Sequence, residues 1–193
     1  PWLDGLSNHR NPLIASSALL AALSIRGESE SAYAYWLACI EGDSEVNPDA
    51  PPHQWMTPLI LYANIPAQWK VEGLIRAIKR DQKLAGRTAG GVSGGVSIAS
   101  DCLGKLGSDA LVAVPEIVQL IQPGIPDFFV EQILDILAQL RGYGEIDVGA
   151  VEDAVNEWSK TAANRNGVDA ALADLKAART DDGQRRSSLN EGT

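Results

Sequence analysis

The sequence holds little of the chemistry from which most catalytic and metal sites are built. It has only two histidines, His9 and His53, each in a polar or proline-rich segment with no carboxylate or cysteine at metal-ligand spacing. A Ser/His or Cys/His nucleophile would need one of these loop histidines as its base, which disfavours nucleophilic catalysis. We therefore predict a protein that is not an enzyme and that binds neither a metal ion nor another cofactor.

Cysteine is equally scarce. Cys39 and Cys102 are far apart, and each lies in an apolar helical pattern. Two buried free thiols are favoured over a disulfide, because a buried cysteine commonly behaves as a small apolar residue. Free thiols fit a reducing compartment, so we predict a cytoplasmic protein.

Long hydrophobic runs and an excess of positive charge are also missing. No apolar run approaches the roughly 18 residues that a membrane span requires, and serines interrupt Leu13–Ile25, which is otherwise apolar enough for a secretory signal. The formal net charge is −9. Nucleic acids and anionic membranes attract cationic surfaces. We therefore predict no membrane partner, and the charge disfavours nucleic acid.

Helical periodicity, in contrast, runs through almost the whole chain. Apolar residues recur at helical spacing, and no alternating strand of convincing length is present. We predict an all-α fold with a single repeat domain over residues 1–179 and a polar C-terminal tail over 180–193. The predicted helical pairs lie near residues 11–42, 55–83, 97–122 and 127–161, followed by a closing helix near 168–179.

The third and fourth pairs repeat each other. Leu103–Leu106 closes the first helix of one pair, and Leu137–Leu140 closes that of the next pair, 34 residues later. Ile117 and Val151, on the second helices, are also 34 residues apart. One pair cannot bury its apolar face alone, so stacked neighbours of similar length are expected. The first two pairs match this repeat only in helix count and approximate period.

Residues 98–121 carry the motif that is most specific in this chain. The first helix ends with Cys-Leu-Gly-Lys-Leu-Gly (102–107), and the second begins with Ala-Leu-Val-Ala-Val-Pro-Glu-Ile (110–117). This segment resembles a bacterial HEAT-type repeat, which has Ala-Leu-Gly-x-Leu-Gly and Ala-x-x-Ala-Val-Pro-x-Leu there. The family's early arginine is missing, and Val96 and Ser97 occupy its place. The resemblance implies an armadillo-like α-solenoid of about four HEAT-like helical pairs that acts as a scaffold and has no catalytic residues.

A doubled Gly-Gly-Val-Ser sequence precedes this motif, at Gly90–Ser97. Consecutive backbone amides ahead of a helix can hold a phosphate. However, no Gly-Lys-Ser/Thr ending and no preceding strand accompany it, so neither nucleotide-binding fingerprint is met. A linker, or small residues that allow close helix packing, is the favoured interpretation.

Two surface features are candidates for binding a partner. The segment Trp69–Arg87 carries a net charge of +4, and its basic residues at 76, 79, 80 and 83 line one helical face. That face is either solvated or a dock for an acidic segment or phosphate-bearing ligand. Most of the Trp and Tyr residues also crowd into Tyr33–Trp69, where Trp36, Tyr62 and Trp69 are predicted in the core. The candidate partner-binding residues are Tyr35, Trp55, Arg76, Lys79, Arg80 and Lys83.

These observations favour a non-enzymatic protein–protein interaction scaffold built from HEAT-like repeats. One alternative is an acidic immunity- or inhibitor-type protein that neutralises a cationic toxin or enzyme through electrostatic attraction. Another is a regulatory module of a longer protein, since the chain starts at Pro1 rather than at a methionine. A HEAT-like enzyme or nucleic-acid binder is disfavoured by the missing catalytic residues and by the negative charge.

Overall fold

The computed structural model describes residues 5–42, 52–85, 93–162 and 165–178. Within a few helix ends, among them residues 52–56, 83–85 and 93–97, the backbone alone is described. Over the described residues the chain is helical and contains no β-strand. The predicted all-α class is thereby confirmed for this part of the chain. The chain divides into two compact units, and the boundary falls between Leu106 and Gly107.

The first unit contains five α-helices among its described residues. They are α1 (Pro12–Ile25), α2 (Ser29–Gly42), α3 (Pro52–Tyr62), α4 (Ala67–Ala85) and α5 (Ser93–Leu106). The end of α1 shows why the chain turns where it does. Gly27 adopts a positive φ of 76°, and the backbone N–H groups of Gly27 and Glu28 donate to the carbonyls of Ser24 and Leu23. This is a glycine-based helix cap.

Each helix of the first unit packs against the next two along the chain. Helix α1 packs on α2 and α3, α2 on α3 and α4, α3 on α4 and α5, and α4 on α5. These contacts bury an almost wholly apolar core, and the side chains that are at most 1% exposed include Leu20, Trp36, Ile40, Ile60, Leu74, Ile78 and Leu103. Burial of this apolar surface is the main favourable term that holds the unit together.

Helices α2 and α4 meet where a buried tryptophan ring packs directly on a glycine. A Cβ atom added at Gly73 on α4 would lie within 3.0 Å of three ring carbons of Trp36 on α2. Trp36 is fully buried, so the indole has no open space into which it could retreat. Glycine is therefore required at position 73 because only a bare backbone leaves room for the Trp36 ring.

The second unit begins with a 3₁₀-helix rather than with the α-helix predicted over Ala110–Ile121. The chain forms η1 (Gly107–Ala113) and a short α6 (Val114–Val118), and the final bonds, from Leu120 to Ile117 and from Ile121 to Val118, span three residues. The physical reason lies at Pro115, which follows the first residue of α6. Proline is tolerated in the first turn of an α-helix but not in its interior. The α-helix therefore starts at Val114, which places Pro115 in the first turn, and not at Ala110.

The remaining helices of the second unit are α7 (Asp127–Arg141), α8 (Val148–Ser159) and α9 (Asn166–Ala177). Helix α9 packs on α7 and α8, α6 packs on α7 and α8, and η1 packs on α6 and α7. Two side chains reinforce this packing. Arg141 Nη1 donates to the carbonyls of Leu175 (2.6 Å) and Lys176 (3.1 Å) in the last turn of α9, and Trp158 Nε1 donates to the Ile125 carbonyl (2.9 Å).

The helix starts and the buried positions recur with the 34-residue spacing of the leucines. Helices α5 and α7 begin 34 residues apart, as do α6 and α8. Leu103 and Leu137 are both fully buried, and so are Ile117 and Val151. The period read from the apolar pattern is therefore also a period of helix starts and of these buried positions.

Candidate protein-binding surfaces

The basic face of α4 is partly occupied by carboxylates of the same chain. Arg76 donates from Nη1 to Glu41 Oε1 on α2 (3.0 Å) and from Nη2 to Glu72 Oε1 on α4 (2.7 Å). These hydrogen bonds raise the pKa of Arg76, with Glu72 making the largest contribution. Because the group is exposed, the pair holds α2 and α4 together only weakly. The guanidinium is nevertheless already paired with carboxylates of its own chain, so a partner would have to compete for it.

The other basic residues of this face differ in their exposure. The Arg80 side chain is only 13% exposed, and its Nη1 lies 3.7 Å from Oδ1 of the fully buried Asp81. Lys79 is exposed. Lys83 belongs to α4, but its side chain lies outside the described residues, as does the side chain of Trp55 on α3. Of the four predicted basic residues, the structure therefore shows Arg76 and Lys79 at the surface and Arg80 largely inside.

The aromatic cluster lies mainly inside the first unit. Tyr33 stacks on Trp69, with ring centroids 5.2 Å apart and an interplanar angle of 23°, and its ring is tilted against Trp36 at 6.3 Å. Burial, and after it the nearby Glu72 carboxylate, raises the pKa of Tyr33 to about 12. Tyr35 is half-buried on the other side of α2 and forms a hydrogen bond with Ser16 of α1; burial raises its pKa as well. The two tyrosines thus face different neighbouring helices.

Tyr62 is a correction to the predicted core. It is 87% exposed, although the aromatic pattern placed it inside together with Trp36 and Trp69. The reason is its position around α3: Thr57 and Ile60 mark the buried face, and Tyr62, two residues after Ile60, points away from that face. Trp36 is fully buried, as predicted, whereas Trp69 is only half-buried.

Tyr62 belongs to a group of exposed large apolar side chains that the sequence did not single out. Four of them lie in or beside the turn within one of the predicted helical pairs, and they are Ile25 (76% exposed), Tyr62, Val112 (75%) and Tyr143 (56%). The usable signal was position: Ile25 and Tyr62 end their helices, and Tyr143 stands between the two glycines of the α7–α8 turn.

In the first unit, the two exposed residues share one edge, here called the Ile25–Tyr62 edge. Ser29 Oγ, at the start of α2, donates to the carbonyl of Asn64 in the α3–α4 turn. This bond joins the α1–α2 turn to the α3–α4 turn. Lys70 Nζ also donates to the Leu61 carbonyl (2.9 Å) and covers the end of α3.

In the second unit, Val112 follows Leu111 and Tyr143 precedes Gly144, and Leu111 and Gly144 are in contact, so we call these two exposed residues the Val112–Tyr143 patch. The Tyr143 ring lies over Gly107, where an added Cβ would be 3.0 Å from Tyr143 Cε1. Leu111 lies against Gly144, where an added Cβ would be 2.5 Å from Leu111 Cδ1. Gly107 also has a positive φ of 59°, so a side chain there would be strained as well as crowded. These two contacts hold η1 against the α7–α8 turn.

Charge is distributed unequally between the two units. Residues 1–106 contain ten acidic and nine basic residues, whereas residues 107–178 contain twelve acidic and four basic residues, a net charge of −8. All four basic side chains of 107–178 have partners in the same unit: Arg141 binds the end of α9, and Lys160, Arg165 and Lys176 pair with Glu157, Asp169 and Glu152. The surface of the second unit is therefore strongly acidic.

One groove among the described residues is too small for a typical small-molecule site. A groove of about 220 Å³ lies between residues 124–127 and 158–162, below the roughly 300–1,000 Å³ usual for ligand pockets. The Asp127 carboxylate in this groove accepts a hydrogen bond from the backbone N–H of Phe128 (2.9 Å). Burial raises the pKa of the Cys102 thiol to about 11, which keeps it protonated and unreactive at neutral pH.

Comparison with known proteins identifies no relative. No protein-family model, curated protein or solved structure matches the chain. Among the described residues, no group of three or more His, Cys, Asp or Glu side chains is arranged to hold a metal ion. In the same part of the chain, no helix has both the length and the apolarity needed to cross a bilayer.

Proposed function

We propose that this chain is a HEAT-like α-solenoid that acts as a non-enzymatic scaffold and binds another protein. The observation that carries the proposal is the packing order, in which each helix of the first unit contacts the next two along the chain. Stacked helical pairs produce this order because each helix touches its own partner and the equivalent helix of the next pair. The 34-residue recurrence of helix starts between α5 and α7, and between α6 and α8, adds support.

The exposed apolar side chains support protein binding. Tyr62, Val112, Tyr143 and Ile25 are more than half exposed. Exposed aromatic and aliphatic groups that cluster beside polar residues are typical of protein interfaces, and tyrosine is enriched among residues that dominate binding energy. A reducing, cytoplasmic setting is part of the proposal because both cysteines are free thiols.

The charge of the second unit favours a second candidate function. Residues 107–178 carry a net charge of −8, which suits an immunity- or inhibitor-type protein that neutralises a cationic toxin or enzyme. Electrostatic attraction of this kind speeds association and makes it sensitive to salt. The two candidates share a protein partner and differ in whether its association rate falls steeply as salt is added.

The test is a pull-down with the tagged chain from source-cell lysate at about 0.1 M and 0.5 M salt, where the Debye length falls from about 10 Å to under 5 Å. Photo-crosslinking from positions 25, 62, 112 and 143 maps the contact. A stoichiometric partner crosslinked at one of these positions supports the scaffold, and its loss at high salt favours the inhibitor candidate. Recovery of no crosslinked partner, together with turnover of a small substrate by the purified chain, would overturn both.

A further inference from the structure

We infer that the Val112–Tyr143 patch of the second unit is the docking site for a cationic peptide segment that carries aliphatic side chains and belongs to the partner protein. This inference deepens the proposed function and rests on it. It specifies where on the scaffold the partner binds and which kind of segment of the partner binds there.

The first argument is the apolar surface itself. Val112 and Tyr143 are exposed although they are large and apolar, and each is the chain neighbour of a residue in the contact between Leu111 of η1 and Gly144 of the α7–α8 turn. The patch is held in place because Tyr143 covers Gly107 and Leu111 fills the space beside Gly144. A surface that is already ordered loses less conformational entropy when a partner binds.

The second argument is the charge around the patch. Asp109 precedes Val112 by three residues, and Glu145 follows Tyr143 by two; both carboxylates are exposed. Asp147 is also exposed, and it caps α8 by accepting a hydrogen bond from the Ala150 N–H at 3.1 Å. Arg141, the nearest basic residue of the unit to this turn, has its guanidinium bound to the end of α9. Lys105, two residues before Gly107, is exposed as well. Three carboxylates against this one exposed cation leave the rim net acidic, and its complement is a lysine- or arginine-bearing segment.

The Ile25–Tyr62 edge of the first unit provides the internal comparison. It also exposes large apolar groups, but Arg26 and Lys70 stand beside Glu28 and Glu30 along its turns. Its charges are mixed, so it has no preference for a cationic segment. The acidic rim distinguishes the Val112–Tyr143 patch from this edge.

The experiment measures binding of three ten-residue peptides to the full chain by fluorescence anisotropy at about 0.1 M salt. One peptide alternates lysine with leucine, one alternates lysine with serine, and one alternates glutamate with leucine. We expect the lysine–leucine peptide to bind about tenfold more tightly than the lysine–serine peptide, because one aliphatic side chain is buried on the patch. The glutamate–leucine peptide is expected not to bind.

Two variants and two matched controls locate the site. Val112→Ser should weaken binding of the lysine–leucine peptide by about tenfold, and Glu145→Lys should weaken it by about fivefold. Ile25→Ser removes an equally exposed aliphatic group from the first unit, and Asp153→Lys makes the same charge change on exposed α8; both should change affinity by less than about twofold. Circular dichroism of each variant checks that it remains folded.

Equal binding of the lysine–leucine and lysine–serine peptides, or equal weakening by Asp153→Lys and Glu145→Lys, would overturn the inference, because binding would then follow total charge rather than a site. Absence of binding to the unmodified chain would also overturn it. The scaffold proposal is judged separately, by the lysate crosslinks. A partner crosslinked at position 25 or 62, but not at 112 or 143, would retain the scaffold and reject this site.

Discussion

The two units of this protein differ in the balance of their acidic and basic residues. In the first unit, acidic and basic residues almost balance. Some of them form ion pairs within the unit: Arg76 binds Glu41 and Glu72, and Arg80 lies beside buried Asp81. In the second unit, acidic residues outnumber basic ones threefold over 107–178. Its acidic surplus lies on the surface. Basic side chains therefore pair within both units, and the units differ in the acidic surplus, which in the second unit is available to an incoming partner.

The units also differ in how their cores are composed. Among the described residues, the buried polar side chains are Thr57, Asp81 and Ser100, and all three belong to the first unit. The described core of the second unit is apolar, with Phe129, Val130, Ile133, Leu137 and Val155 fully buried. A buried polar group costs free energy unless it is hydrogen-bonded. The stability of the first unit therefore depends more on how its helices are placed around these polar groups.

The largest effect is expected from Gly73→Ala in the first unit. The added methyl group overlaps the ring of buried Trp36, and we expect the free energy of unfolding to fall by about 3 kcal/mol, the upper end of typical overpacking costs. Urea denaturation followed by tryptophan fluorescence measures the change. The matched control in the second unit is Gly149→Ala on α8, where an added Cβ meets only Asp147 Oδ1 at 3.2 Å. A loss of similar size in both variants would contradict this difference between the units.

Arg141→Met should have the next largest effect, in the second unit. It removes the charged hydrogen bonds to the Leu175 and Lys176 carbonyls, and we expect a loss of about 1.5 kcal/mol together with faster amide exchange in α9. Hydrogen exchange by mass spectrometry locates the change. Lys160→Met removes an exposed pair with Glu157 and should cost at most about 0.5 kcal/mol. If α9 exchanges no faster in Arg141→Met, the capping role is wrong.

A smaller, pH-dependent effect is expected from Tyr33 in the first unit. Its pKa is raised from 10.0 to about 12, first by burial and then by Glu72. The folded state therefore holds the proton more tightly, so this contribution to stability is fully present below pH 10 and is lost as pH rises towards 12. Tyr33→Phe should unfold with a shallower pH dependence between pH 10 and 12 than the unmodified chain. Tyr62→Phe, at an exposed position, should retain the original slope.

The smallest effect is expected from Asp135→Asn in the second unit. Burial, and after it the Asp174 carboxylate, raises the pKa of Asp135, so the charged form opposes folding, and this penalty grows as pH rises through the folded-state pKa. The variant should gain about 0.3 kcal/mol at pH 7. Thermal unfolding at pH 7 and at pH 3.5 measures it, and the gain should shrink at the lower pH. Asp153→Asn serves as the exposed control. A greater gain in stability there would contradict the proposed penalty from burial of Asp135 and its repulsion by Asp174.

Much of the secondary structure could be predicted from local signals. Gly27 ends α1, Pro12 stands at the start of α1, and the Leu103 and Leu137 pattern carries a 34-residue period that helix starts and burial both follow. Where prediction failed, a long-range or positional effect decided the outcome. Tyr62 was placed in the core from its apolar character, but it points away from the face of α3 on which Ile60 is buried, and Pro115 delays the α-helix that was predicted from Ala110.

The candidate surfaces were harder to predict than the helices. The basic spacing of α4 identified a real helical face, yet the sequence could not show that Glu41, from a different helix, binds Arg76. The Val112–Tyr143 patch was missed because its members come from separate segments and meet only when η1 packs against the α7–α8 turn. A hydrophobic period reports which side of a helix is buried, but it carries no information about which turns lie together.

The sequence by itself determined the all-α class, the 34-residue period and the acidic balance, because propensity, turn glycines and ionisable side chains act over a few residues. Tertiary structure alone decided which charges are paired inside the chain, why residue 73 must be glycine, and which apolar side chains remain exposed. These properties depend on contacts between residues tens of positions apart, such as Trp36 with Gly73 and Tyr143 with Gly107. Only the packed helices bring such residues within reach of each other.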